Sequence, residues 1–173
     1  AVRRLDLFTV YAMIAADEAI KDAGLIPMAL GLQSAWVTQL IPYAMSPSAI
    51  YRDNPDFDAQ MYAGEATFVG SPWQQMMEDY VALGDMGFFN DSTLGTDFNL
   101  STDLMASGEA VMLVQGNWAL AGLAEKAPDT EWGMFALPYD NGGDVWVPAA
   151  IGSLIAIDAN TEHPEIARAY VGF

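Results

Sequence analysis

The sequence has no cysteine, one histidine, and only six lysines and arginines against 23 aspartates and glutamates, giving a formal net charge of −17 over 173 residues. Without cysteine there are no disulfides, thiol nucleophiles or Cys-based zinc sites, an absence compatible with an exported protein that folds on its core alone but not one from which the compartment can be read. The lone histidine, His163, stands beside Pro164 at a predicted helix start. From that place it supports neither a Ser-His-Asp triad nor a multi-histidine metal site. The six cations are scattered at Arg3, Arg4, Lys21, Arg52, Lys126 and Arg168. No basic face can therefore track a nucleic-acid backbone or an anionic lipid surface.

Long apolar runs are lacking too, although hydrophobic residues make up 53% of the chain. The longest, over residues 147–157, is interrupted by Gly152 and Ser153, well short of the roughly 18 apolar residues of a membrane span. There is no start methionine, basic leader or signal-like apolar segment. An export signal is expected to have been removed or to lie outside this sequence. The chain opens inside one predicted helix and stops at Phe173 inside another.

The acidic residues do not assemble into a reactive pattern. Asp53, Asp56 and Asp58 lack the glycine of a calcium loop, and Thr67 stands where a bidentate Glu would be needed. Glu78-Asp79 and Asp17-Glu18 are sequence neighbours on predicted helices and so point in different directions. A glycosidase needs two carboxyls about 5–10 Å apart across a sugar, and no spacing here specifies such a pair.

Helical spacing over residues 5–23, stopped by Gly24, predicts an amphipathic helix. Residues 26–30 predict a buried strand, and a second helix is expected from Gln33 or Ser34 towards Tyr43, limited or kinked by Pro42. Residues 45–65 read as an ordered surface loop or a pair of short elements. Ser71-Pro72 is a cap followed by proline at the first helical position, opening a helix that reaches Gly84 or Gly87. Beyond it come a polar loop with Asn90, Asp91 and Ser92, a helix over about 100–107, and a strand over 110–115. A helix over about 117–126, strands over 132–137 and 153–157, and a helix from Pro164 capped by Thr161 complete the pattern. Strands alternating with helices predict an α/β lobe with no internal linker.

Residues 103–118 condense this pattern: a helix end, the stop at Gly108, a buried strand, and a turn at Gly116 into the next helix. Trp118 is thereby expected at the carboxyl end of a strand, where open α/β sheets bind ligands. An indole there offers a rigid apolar face, on which the C–H face of a sugar can stack, and one N–H donor. The alternative is that Trp118 caps the lobe core, and Trp36 carries the same two readings. Trp73 and Trp132 are assigned to the core, whereas Trp146, beside Pro148, is a cleft candidate.

Met105, Gly108, Glu109, Ala110, Val111, Met112, Gly116 and Trp118 resemble the phrase "F-x-x-G-x-A-A-M-x-x-x-G-x-W" of family 1 extracellular solute-binding proteins, the maltodextrin-binding-like proteins of ABC importers. Residues 20–24 with 26–31 resemble the family's helix and "G-x-x-P" strand, and Trp36 falls where members often place a ligand-stacking aromatic. Residues 132–138, 152–157 and 163–167 resemble its "P-L-P", return strand and "h-P-E-x-A" helix, all in the family's order.

The resemblance implies a periplasmic-binding-protein-like (type II) α/β lobe, a mixed sheet flanked by helices, with the first lobe missing. Residues 1–149 would form the second, ligand-cleft lobe. Residues 150–173 would form the hinge crossover, return strand and helix belonging towards the first lobe, with the hinge near 148–152. It further implies a sugar or oligosaccharide held on Trp118 and Trp36 and oriented by Asn117, Gln33 and the backbone of Gly152 and Ser153, with Trp146 a further contact. Delivery to an ABC permease, an extracytoplasmic location, periplasmic or lipid-anchored, and no catalysis or cofactor complete the expectation. The alternative is a carbohydrate-active enzyme or its accessory sugar-binding module, which also uses aromatic platforms.

Overall fold

The computed structural model describes residues 18, 20–140, 144–149 and 155–172. Two strands, β1 (Ile26–Ala29) and β2 (Ala110–Leu113), pair in parallel with Ile26 opposite Ala110 and Met28 opposite Met112. On the other edge of β1, Phe89 forms a single parallel bridge with Met28. Met28, Ala29 and Leu30 are all buried. The continuous apolar run at β1 is therefore the pattern of a strand covered on both faces.

The helices are α1 (Leu40–Ser46), α2 (Phe57–Ala63), α3 (Pro72–Asp85), α4 (Phe98–Ala106), α5 (Ala119–Lys126) and α6 (Pro164–Val171). Ser71 caps α3 as its sequence predicts, its hydroxyl accepting from the Trp73 N–H at 3.2 Å with Pro72 at the first position. Asp97 caps α4 in the same way through the Leu100 N–H, at 2.8 Å. Gly108 follows α4 with φ 79°, a left-handed turn that glycine adopts without cost and that directs the chain into β2. Helical residues at 20–22 lie inside the first predicted helix, the rest of which falls largely outside the described residues.

The second predicted helix is longer than its prolines suggest. A 3-10 turn (Ala35–Gln39), α1 and a π turn (Pro47–Tyr51) follow one another without a break. Pro42 is in the first turn of α1, where a missing N–H costs least. Pro47 leaves the Tyr43 carbonyl without its usual donor, and the Ser46 hydroxyl donates to that carbonyl at 3.3 Å. The helical path then widens, with the Arg52 N–H reaching back to the Pro47 carbonyl at 2.8 Å. Of the two readings for residues 45–65, the pair of short elements is the one observed, as the π turn and α2.

Ile41, Met45 and Ile50 from this run join Met28, Leu30 and Met76 in one buried cluster. Tyr80 on α3 packs edge-to-face on Phe89 at 6.0 Å, and burial raises the pKa of its hydroxyl. Tyr51 is raised as well, first by burial and then by its hydrogen bond to Asp58.

Two strand expectations are corrected. Residues 132–137 are irregular, and Met134 and Phe135 are both exposed. Neighbours exposed together do not show the in–out alternation of a paired strand, and no ladder partner holds this run. Residues 155–157 are likewise irregular, while Ser153 and Leu154 lie outside the described residues. In α6, His163 holds the N-cap position and the predicted cap Thr161 lies two residues before it, accepting from the His163 N–H at 3.3 Å.

Candidate functional site at the carboxyl edge of the sheet

Because β1 and β2 are parallel and adjacent, the segments that leave their carboxyl ends emerge side by side. The first carries Gln33 and Trp36 and the second carries Asn117 and Trp118, all four exposed. Trp36 is 43% and Trp118 60% exposed, so neither indole is spent on the core.

A polar scaffold locks the first segment. Asn90, itself buried, accepts from the Leu30 N–H at 2.8 Å and donates to the Thr96 hydroxyl at 3.0 Å, which donates to the Ser92 carbonyl at 2.7 Å. The Leu32 and Gln33 N–H groups donate to the carbonyls of Thr93 and Thr96. The Ser34 hydroxyl accepts from the Phe98 N–H at 3.0 Å. Gly31 is needed because a Cβ there would run into the Asp97 carbonyl. Trp36 then leans on Phe98 with ring centroids 5.1 Å apart in a tilted arrangement, which steadies the indole while much of it stays exposed.

The second segment is built around Gly116. The Trp118 ring fills the space that a Cβ on Gly116 would occupy, so the glycine is the bed on which the indole lies. The Ala119 N–H closes the turn on the Gly116 carbonyl at 3.0 Å. Beside this turn is a cavity of about 60 Å³, lined by Gln115 and Trp132 among apolar side chains. Both polar atoms of the Gln115 amide and the Trp132 indole nitrogen are buried there without a protein partner.

Trp146 is placed apart from these residues. Its N–H donates to the Ser48 hydroxyl at 2.9 Å, and Ser48 follows Trp36 by twelve residues, roughly 18 Å of helix at 1.5 Å per residue. Gly152 and Ser153 lie outside the described residues. Trp73 packs against the core cluster, as its sequence position predicts. It also lines an apolar groove of about 340 Å³ with Phe68, Val69, Gln74 and Met77. That groove offers little polar chemistry with which to orient a ligand.

Sequence reasoning identified the exposed indoles but not Asn90, Ser34, Thr96 or Phe98, which hold the segment of Trp36. Only the polar composition of residues 90–96 signalled these contacts, and composition does not reveal partners sixty residues away. Among the described residues, no group of three or more histidine, aspartate or glutamate side chains could hold a metal ion. No helix among them is long and apolar enough to cross a membrane.

Helices flanking a small parallel sheet make up an α/β fold of the periplasmic-binding-protein-like kind, as the likeness to solved structures shows. Residues 6–173 match the family described as bacterial extracellular solute-binding protein, and the chain belongs to that family. A sugar transporter from Bacillus licheniformis, solved in complex with stachyose, matches 92% of this chain and 42% of its own length, with a TM-score of 0.70 and 16% identity. A chitin oligosaccharide binding protein matches 75% of this chain and 32% of its own, with a TM-score of 0.64 and 20% identity. At these identities the likeness is one of fold, and the chain spans less than half the length of either structure. No curated protein matches the chain.

Proposed function

We propose that the chain is the ligand-cleft lobe of an ABC-importer binding protein that captures a neutral sugar or oligosaccharide. The observation that carries this reading is the pair of exposed, buttressed indoles, Trp36 and Trp118, on segments leaving adjacent parallel strands. Stacking on such faces suits the C–H surface of a sugar, and the exposed Gln33 and Asn117 supply donors and acceptors for its hydroxyls. The backbone of Gly152 and Ser153 adds further polar contacts in this reading. Trp146, fixed towards the far end of the helical run, is reached by a ligand extended beyond the two indoles.

Residues 150–173 in this reading cross towards the first lobe, which supplies the opposite wall of the cleft, and a bend near 148–152 lets the two lobes close. In α6 no residue is buried, and Ile166 and Tyr170 are 65% and 80% exposed, in keeping with a helix that packs elsewhere in the complete protein. Closure selects the liganded form by its differential affinity for sugar. That form is delivered to permease subunits outside the cytoplasm, and no covalent step is involved.

Thermal shift of the complete protein against neutral oligosaccharides and charged small solutes tests this directly. Stabilisation by one class of oligosaccharide is the expected result; stabilisation only by charged solutes would reject the carbohydrate assignment. This chain by itself should bind weakly, because half the cleft is absent, and nanomolar affinity from it would contradict the two-lobed arrangement.

A further inference from the structure

Residues 137–140 and 144–146 run outside regular secondary structure, yet both stretches are fastened to the lobe. In the first, the Tyr139 hydroxyl donates to Asp79 on α3 at 2.6 Å. The two terminal nitrogens of Arg52 donate to the two carboxylate oxygens of Asp140 at 3.0 and 2.7 Å. In the second, the Trp146 backbone N–H donates to the Ser48 hydroxyl, which lies 3.5 Å from the Trp146 carbonyl.

Ser48 and Arg52 are four residues apart at the end of one helical run, and both are largely withdrawn from solvent. Ser48 is 2% exposed, and the Arg52 and Asp140 side chains are 18% and 28% exposed. A bidentate guanidinium–carboxylate pair in such surroundings constrains direction as well as distance, which a lysine cannot do. A hydroxyl this deeply buried needs its partner.

We propose that Ser48 and Arg52 are positioning residues that clamp the strap residues Asp140 and Trp146 to this lobe, so that Trp146 is preset and stays with this lobe when the two lobes bend. The proposal rests on the sugar-binding reading for its effect on affinity, but the clamp itself is a property of the folded chain. Preorganised segments lose less freedom on binding, and a strap that moved with the bend would lose that advantage.

Hydrogen exchange and titration of the complete protein, with stachyose and a chitin oligosaccharide as probes, test the clamp. In Ser48→Ala, exchange of the Trp146 amide should rise at least tenfold while β1 and β2 keep their protection. Binding of whichever probe the wild type binds should weaken about tenfold, and Ser48→Thr should restore both. Arg52→Lys should loosen residues 139–140 in the same local way. Unchanged Trp146 exchange, or an equal rise in β1 and β2, would overturn the clamp. Faster exchange with unchanged affinity would overturn its positioning role. If the wild type binds neither probe, the sugar reading fails for these ligands and the clamp stands or falls on exchange alone.

Discussion

Residues 20–126 and residues 131–172 differ more in burial than in composition. The first stretch places Ile41 and Met76 at 1% and 0% exposure and satisfies the loop polar groups around Asn90. The second leaves Phe135, Ile155, Ile166 and Tyr170 each more than half exposed. Apolar residues at comparable density are thus a core in one place and an open surface in the other. What separates them is a partner: β1, β2 and the helices cover one another, while α6 buries no residue and the irregular segment before it meets the lobe at a few points such as Leu137, Tyr139, Asp140 and Trp146. Large apolar surfaces left open in this way mark sites of further packing, in accord with the proposed crossover towards the first lobe.

That contrast has measurable consequences. Met76→Ala, at the fully buried centre, should cost about 2–5 kcal/mol by the large-to-small rule, read from urea unfolding. Asn90→Ala removes the acceptor for Leu30 and the donor to Thr96, and stranding buried groups costs about 1–3 kcal/mol. Its Trp36 fluorescence, isolated in a background with the other tryptophans replaced by phenylalanine, should shift as well. Gly31→Ala forces backbone against the Asp97 carbonyl and should cost about 1–3 kcal/mol, as overpacking does.

Alkaline pH acts on the first stretch through Tyr80 and Tyr51, whose pKa values are raised on folding. Their stabilisation is complete below the unfolded value near 10. Above it the unfolded chain ionises first, so Tm should fall as pH rises through the folded values, and Tyr80→Phe should blunt that fall. Ile166→Ala in α6 should change the stability of this chain by less than about 0.5 kcal/mol. A cost of 2 kcal/mol there would show that α6 is packed here after all.

Much of the first stretch was legible in the sequence, because its signals are local. Ser71-Pro72, Gly108 and the apolar runs at β1 and β2 each act within a few residues, and they placed Trp118 at a strand end. The long helical run was not legible, since Pro42 and Pro47 argue for a stop. Its continuation depends on the first-turn position of one proline and a side-chain substitute at the other. The strands expected at 132–137 and 153–157 were read from apolar content, and strand formation depends on a neighbour that content does not specify. The Asn90 scaffold and the Ser48–Trp146 link join residues 60 and 98 positions apart, a range at which sequence pattern is silent.

The indole platform is tested most directly by calorimetric titration of the complete protein with the oligosaccharide that stabilises it, beside Trp118→Ala and Trp36→Ala. Each substitution should weaken binding by at least tenfold while Tm stays within a few degrees of wild type, because neither exposed ring supports the core. Unchanged affinity together with a large loss of Tm would show that the two tryptophans are structural and that the sugar is held elsewhere.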